Sequence, residues 1–256
     1  MASGITDDRS IQMRIADDIR TRIESGVYKP GQRLPTYDEL CQTYLCSSGV
    51  ARRAVELLKQ QGLVISGQGK GVFVRETARP KRHGIERYAR SKWQQGVAIH
   101  DAEAGGQGLP VKQLYRELGE VPAPKEVAEA FGIDEQTPVW VRKRTTIVDG
   151  RPHQLADSYY PLDLAAGTLL MEEKSGPGGG FARLDEAGEP LSEISEEWSA
   201  RMPTTPESVA LQLPAGTPVF ELTRIVYDVK NRAVEVMLAV IAADTVRMSY
   251  RFSIPD

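Results

Sequence analysis

Cysteine is scarce in this 256-residue chain: Cys41 and Cys46 are the only two, five positions apart. So low a count excludes a disulfide-built scaffold. The spacing fits neither a CxxC redox pair nor a zinc site, and both residues read as small buried side chains. Histidine is nearly as rare. His83, His100 and His153 sit in unrelated segments with no HExxH, GxSxG or Cys/His arrangement beside them, so neither a metal nor a cofactor is expected. Long apolar runs are missing too, and Met1 to Ser10 carries Asp7, Asp8 and Arg9 where a secretory leader would be apolar. The expectation is a cytoplasmic protein without a membrane segment. With 41% hydrophobic and 26% charged residues, a largely disordered, collagen-like or coiled-coil chain is excluded.

What is present is unevenly distributed charge. Residues 1 to 92 hold 17 Lys and Arg against 10 Asp and Glu, whereas residues 93 to 256 hold 15 against 25, so a formal total of -3 joins a basic part to an acidic one. The basic part is suited to a polyanion, or is simply a solvated basic face. The length suits two small domains better than one large one.

Ile11, Ile15, Ile19 and Ile23 recur every four residues, which predicts one apolar stripe on a helix ending near Gly26. Thr36-Tyr37-Asp38-Glu39 predicts a capping box opening a short second helix that runs to about Tyr44. Ser47 is placed to cap a third, with Val50, Ala51, Ala54, Val55, Leu57 and Leu58 on one side, Gly49, Arg52, Glu56 and Lys59 on the other, and Arg53 flanking. Leu63 to Ile65 and Val72 to Val74 then read as two strands around the glycine-rich tip Gly67-Gln68-Gly69-Lys70-Gly71. That tip matches neither GxxxxGK[ST] nor GxGxxG, and a strand follows it, so nucleotide binding is not its use.

Three helices and a two-stranded wing make a winged helix-turn-helix, whose third helix enters the major groove of DNA. Residues 28 to 74 resemble the N-terminal domain of GntR-type transcriptional regulators through Pro30-Gly31, Leu34-Pro35, Glu39-Leu40, Ser47, Arg52, Ala54, Leu58, Gly62-Leu63 and Gly69-x-Gly71-x-Phe73-Val74. Where that family usually shows Ser-Arg-x-Thr-Val-Arg, this chain has Ser47-Ser48-Gly49-Val50-Ala51-Arg52. The resemblance and the exposed-face chemistry together nominate Arg33, Thr36, Ser47, Ser48, Gly49, Arg52, Arg53, Gly69, Lys70 and Gly71 as DNA contacts. A guanidinium fork suits guanine or phosphate, a wing-tip lysine suits phosphate or the minor groove, and Gly49 lets the backbone approach closely.

Residues 76 to 92, with six basic residues, Pro80, Gly84 and little apolar content, read as a linker between a domain at 1 to 75 and another at 93 to 256. The second domain contains a repeat. Thr137-Pro138-Val139-Trp140 recurs as Thr217-Pro218-Val219-Phe220, and Arg144 is matched by Arg224, each copy preceded by a short helical pattern and followed by a turn and a strand. Ser175 to Gly180 is a glycine-rich loop, either closing over something or idle at the surface. Trp140, Arg142, Arg144 and Thr146 share one face of a predicted strand. Two readings of its arginines stay open: an anion pocket, or ion pairs with carboxylates such as Asp157 or Glu221.

Pro138-Val139, Arg142, Arg144, Asp149-Gly150, Pro152, Tyr159-x-Pro161, Gly216, Arg224, Tyr227-Asp228 and Val234-Glu235 make this part similar to the UTRA effector-binding domain of the HutC branch of the same family. The resemblance implies a two-domain α+β protein whose second domain has a chorismate-lyase-like α+β sheet. It further implies a small-molecule effector held at Arg142, Arg144 and Glu235, to which the repeat adds Arg224. The expected function is a transcriptional regulator, a repressor released by a small anionic metabolite. As a homodimer it would recognise an inverted repeat in double-stranded DNA, since protein symmetry usually mirrors operator symmetry. Two other readings are a chorismate-lyase-like enzyme acting on a small anion, and a regulator without a ligand that acts by abundance.

Overall fold

The structure, a computed structural model, describes residues 10–67, 70–76, 81–99, 101, 109–188 and 190–250. Two compact units form, one from the chain through Thr77 and the other from most of the chain beyond it.

In the first unit, α1 (Ile11–Glu24) buries Ile15 and Ile19 from the isoleucine stripe, packs Ile23 at its edge and leaves Ile11 exposed in the opening turn. Helix α2 (Tyr37–Tyr44) opens with the expected capping box: the Glu39 amide donates to Thr36 Oγ1 at 3.3 Å, and the Thr36 amide donates to Glu39 Oε2 at 2.7 Å. It ends at Leu45 in a left-handed conformation, φ 48°, which turns the chain into α3 (Ser48–Gln60). Ser47 occupies the N-cap position of α3, but its side chain makes no capping hydrogen bond, contrary to expectation. The residue is exposed, so solvent can serve the first-turn N–H groups. Strands β1 (Val64–Gly67) and β2 (Gly71–Val74) pair antiparallel with Val64 opposite Val74.

Ala51, Ala54, Val55 and Leu58 of α3 meet Ile15, Ala16 and Ile19 of α1, and Leu34, Leu40, Val64, Val72 and Val74 complete one cluster. Burying a side chain such as Leu58 contributes about 1.5–3 kcal/mol, and it is this packing that fixes the exposed side of α3 outward. Cys41 and Cys46 are free thiols, half-buried against the core rather than enclosed in it.

The second unit contains β3 (Lys81–His83), α4 (Arg90–Gln94), β4 (Val111–Pro122), α5 (Lys125–Phe131), β5 (Pro138–Val148) and β6 (Arg151–Pro161). After these come α6 (Leu162–Ala165), α7 (Gly179–Ala187), β7 (Leu191–Arg201), α8 (Thr205–Ala210), β8 (Val219–Asp228), β9 (Ala233–Ala242) and β10 (Arg247–Ser249). Six strands form an antiparallel sheet in the order β4-β5-β6-β9-β8-β7, and β3 pairs with β10 in parallel apart from it. The repeat is now visible as architecture. Strand, helix and hairpin β4-α5-β5-β6 recur as β7-α8-β8-β9, and the two halves join where β6 pairs β9. Asp149 and Gly150, both at positive φ (49° and 75°), close the β5–β6 hairpin in the backbone that two-residue turns favour.

Alternation along β5 sorts its side chains as expected. Val139 and Val141 pack with Val127 and Ala128 of α5 on one face, while Trp140 joins Tyr160, Leu170, Phe181 and Leu184 on the other. The segment expected to be a linker is partly built into this unit. A 3-10 turn at Ile85–Tyr88 and helix α4 lie within residues 81–94, Arg87 is 2% exposed, and Tyr88 and Trp93 pack with Phe181. Its basic composition hid this, because Arg87 is neutralised by a partner far along the chain, Glu196. Among the described residues, no helix is long and apolar enough to cross a membrane.

Candidate functional site

The exposed side of α3 carries Ser48, Gly49, Arg52, Arg53 and Glu56. Arg52 lies with its guanidinium carbon 5.1 Å from the centre of the Tyr37 ring, so α2 holds it without using its hydrogen-bond donors. Arg53 is drawn the other way, donating from Nε to Gln12 Oε1 of α1 at 2.9 Å. Glu56, which would repel a phosphate backbone, pairs with Lys59 at 3.4 Å. A Cβ on Gly49 would meet nothing closer than 3.8 Å, so the glycine is not required by packing and leaves an open approach to the backbone.

On the wing, Lys70 is exposed beside the turn into β2. Arg33 is bridged to Phe73 through the backbone and lies over Gly71, where a Cβ would fall 2.7 Å from its Nε. Gly71, at φ 110°, therefore shapes the wing and seats Arg33. Thr36 has its hydroxyl committed to Glu39, accepting from the amide and donating to Oε2 at 2.9 Å, which makes it a helix cap first. Gly69 lies outside the described residues.

The second unit holds a cavity of about 650 Å³ on the sheet face opposite α5. Its walls include Gln113 and Tyr115 of β4, Arg144 of β5, Tyr160 of β6, Arg224 of β8, Glu235 of β9 and the glycines that lead into α7. A space of this size with a few convergent polar groups is typical of small-molecule sites.

Arg144, Arg224 and Glu235, three of the four residues expected at an effector site, thus come together, but the fourth does not line the cavity. Arg142 is 1% exposed and its guanidinium is spent on the chain itself: it donates to the carbonyls of Leu170, Glu172 and Glu173 and to the Tyr115 hydroxyl at 2.8 Å. It is a clamp on the 170–173 segment and on one cavity wall. Neither carboxylate named for an ion pair serves these arginines among the described residues: Asp157 pairs with Arg116 and Glu221 with Arg201.

Arg144 donates to Ser158 Oγ at 2.6 Å, and its buried Nε has no hydrogen-bond partner among the described residues. Arg224 reaches Glu235 from Nη2, 3.0 Å to Oε2 and 3.2 Å to Oε1, with both side chains buried. Burial alone would lower the Arg224 pKa, but Glu235, Tyr88 and Glu196 outweigh it and hold the guanidinium charged. Tyr160 donates to the same Glu235 at 3.0 Å, and burial with the neighbouring carboxylate pushes its phenol above the usual range. The Arg224 charge is thereby matched inside the fold, while Arg144 has no carboxylate partner among the described residues.

The loop Gly176–Gly180 is a wall of the cavity, not an idle surface segment. Gly178 precedes α7 at φ 78°, and a Cβ there would stand 2.4 Å from the Trp93 carbonyl oxygen. Only glycine fits, and Gly179, Gly180 and Phe181 place the N-terminal turn of α7, the end of a helix dipole that favours an anion, in the cavity wall. Sequence reading missed Tyr115 because its strand, β4, has three exposed residues, Lys112, Leu114 and Arg116, on one face and gives no apolar alternation.

The sequence profile of the GntR family of bacterial regulatory proteins matches residues 11–74, and that of the UTRA domain matches residues 106–247. A curated HTH-type transcriptional regulator of Streptomyces coelicolor is 34% identical over 248 residues, spanning 94% of this chain and 92% of that protein. The chain belongs to the GntR family. It is a DNA-binding transcriptional regulator with a UTRA effector domain. Similar to it also is the probable fructoselysine utilization operon transcriptional repressor of Escherichia coli, 26% identical over 233 residues, covering 89% of this chain and 86% of that one. The crystal structure of PhnF from Mycobacterium smegmatis shares the fold, with a TM-score of 0.59 at 18% identity over 94% of this regulator and all of that chain.

Proposed function

We propose that this regulator is a cytoplasmic homodimeric repressor that binds an inverted repeat and is released by a small anionic metabolite, with no catalytic step. The observation that carries the reading is Arg144. The residue lines the cavity, its guanidinium has no carboxylate partner among the described residues, and the first turn of α7 forms another wall. An anion supplies the counter-charge that the guanidinium lacks, whereas a neutral ligand leaves that charge unmatched. Arg224 and Glu235 orient hydroxyl or amine groups at the far wall, Glu235 accepting and Arg224 donating.

The cavity has a route outward. Gly178 packs on the Trp93 carbonyl and Gly179 on Ala98, so the ligand-facing loop is interlocked with residues 93–98, which lead back toward the first domain in sequence. An effector that binds better when this loop has shifted biases the connector. A coupling of about 1–3 kcal/mol weakens operator binding roughly 5- to 150-fold. Against catalysis, the groups able to move a proton at the far wall are already engaged, Tyr160 donating to Glu235 and Glu235 accepting from Arg224 as well.

Footprinting the DNA upstream of its own gene, then screening sugar phosphates and organic acids for release, tests the reading. Loss of the footprint with one such anion supports it. An anion consumed and converted during the incubation would favour the enzyme reading instead.

A further inference from the structure

The duplicated halves each hold a cavity. Val111, Gln113 and Tyr115 of β4 line the first, and their counterparts at the start of β7, Leu191, Ile194 and Glu196, line a second of about 660 Å³. Register confirms the equivalence: Tyr115 lies opposite Arg144 in one half, and Glu196 lies opposite Arg224 in the other. Phe181 is shared, one wall to each cavity.

The chemistry of the two differs. Where the first cavity has glycines, a helix N-terminus and three basic residues (Arg144, Lys174 and Arg224) beside its carboxylates, the second has aromatic walls, Tyr88, Trp93, Phe181 and Trp198, and the carboxylates Glu193 and Glu196 with Arg90 as its one basic residue. Glu196 is only 12% exposed, accepting from Arg87 and Tyr88 at Oε1 and from Trp198 Nε1 at Oε2, 3.2 Å. Burial pushes its carboxyl up, but Arg87, Tyr88, Trp198 and Arg224 together outweigh burial and hold it below the usual value. A carboxylate oxygen accepts two hydrogen bonds, so Oε2 retains capacity for one more donor. At the mouth, Arg90 is engaged by Asp185 and the Leu191 carbonyl, while Glu193 is exposed and has no ion pair among the described residues. The uncompensated charge facing this cavity is negative.

We propose that the second cavity is a separate binding site for a compact aromatic amine, one flat ring with one protonated nitrogen. The ring lies among the aromatic walls, and the ammonium donates to Glu196 and is attracted by Glu193 and by the Trp198 indole. An organic acid is repelled there, so the two cavities select opposite charges, and the amine site stands whether or not the first cavity binds an anion.

Two of the three tryptophans line this cavity, so emission reports on it directly. The test titrates the full-length protein with phenethylamine, its neutral isostere 2-phenylethanol and the acid phenylacetate. Saturable quenching by phenethylamine at concentrations where phenylacetate has no effect, with 2-phenylethanol about tenfold weaker or more, is expected. Glu196→Gln, which keeps the acceptor for Arg87, and the surface change Glu193→Gln should each weaken phenethylamine, whereas Arg144→Ala should leave it unaltered. The proposal is overturned by equal response to all three probes, by no response at millimolar amine, or by full response in both glutamine variants. A response that appears only when a dimer is diluted to monomers also overturns it, because a second copy of the chain would then occupy the cavity.

Discussion

Arg142 and Arg144 stand two residues apart on one face of β5, yet the first binds carbonyls of its own chain and the second faces an open cavity. The difference predicts opposite phenotypes. Arg142→Ala leaves buried carbonyls and the Tyr115 hydroxyl without a donor and should cost about 3 kcal/mol of stability. Arg144→Ala should alter thermal stability little and abolish stabilisation by the anionic effector. Thermal shift with and without sugar phosphates separates the two; equal destabilisation by both would show that Arg144 is structural as well.

Arg52→Ala should weaken specific DNA binding by about 1–3 kcal/mol if the arginine makes a paired base contact. Lys70→Ala should instead weaken binding to all sequences and flatten the salt dependence by about one unit. Gel shifts across a salt series distinguish these outcomes, and unaltered affinity in both variants would remove α3 and the wing from the interface.

Gly178→Ala places a methyl 2.4 Å from the Trp93 carbonyl oxygen and 2.7 Å from the Ala182 side chain, at φ 78°. A loss of about 2 kcal/mol or more is expected from strain and overpacking, together with loss of effector response. Gly132, also left-handed but with open space around its missing Cβ, is the control: Gly132→Ala should cost about 1 kcal/mol and spare the response.

Acid should weaken the α8 cap. Hydrogen bonds from Arg201, opposed by burial and aided by Thr204, hold Glu207 at about 2 against an ordinary 4.5. Its contribution is therefore complete above about pH 4.5 and is lost as pH falls toward 2. The melting temperatures of the parent and of Glu207→Gln should differ at neutral pH and converge near pH 2; a constant gap would contradict the assignment.

The first domain was legible because local rules act there. Isoleucines four apart, a Thr-x-x-Glu box and a glycine tip each carry their own geometry, and their packing only confirms it. The sheet was legible through the eighty-residue repeat, which placed Arg144 and Arg224 in equivalent strands. Arg142 was not, because its fate is set by main-chain carbonyls about thirty residues away that no side-chain pattern announces. The connector was misjudged for a related reason. Charge composition suggests solvent, and only the distant Glu196 shows that Arg87 is inside. Likewise Ser47 stands where a cap belongs, but type alone does not make the hydrogen bond.

The central claim, that an anion at Arg144 controls DNA binding, is tested most directly by measuring operator affinity of the parent and of Arg144→Ala with and without the releasing metabolite. The account predicts a fall of roughly 5- to 150-fold in the parent and none in the variant, with equal affinity for DNA when no ligand is present. A metabolite that releases the variant as readily as the parent would contradict it.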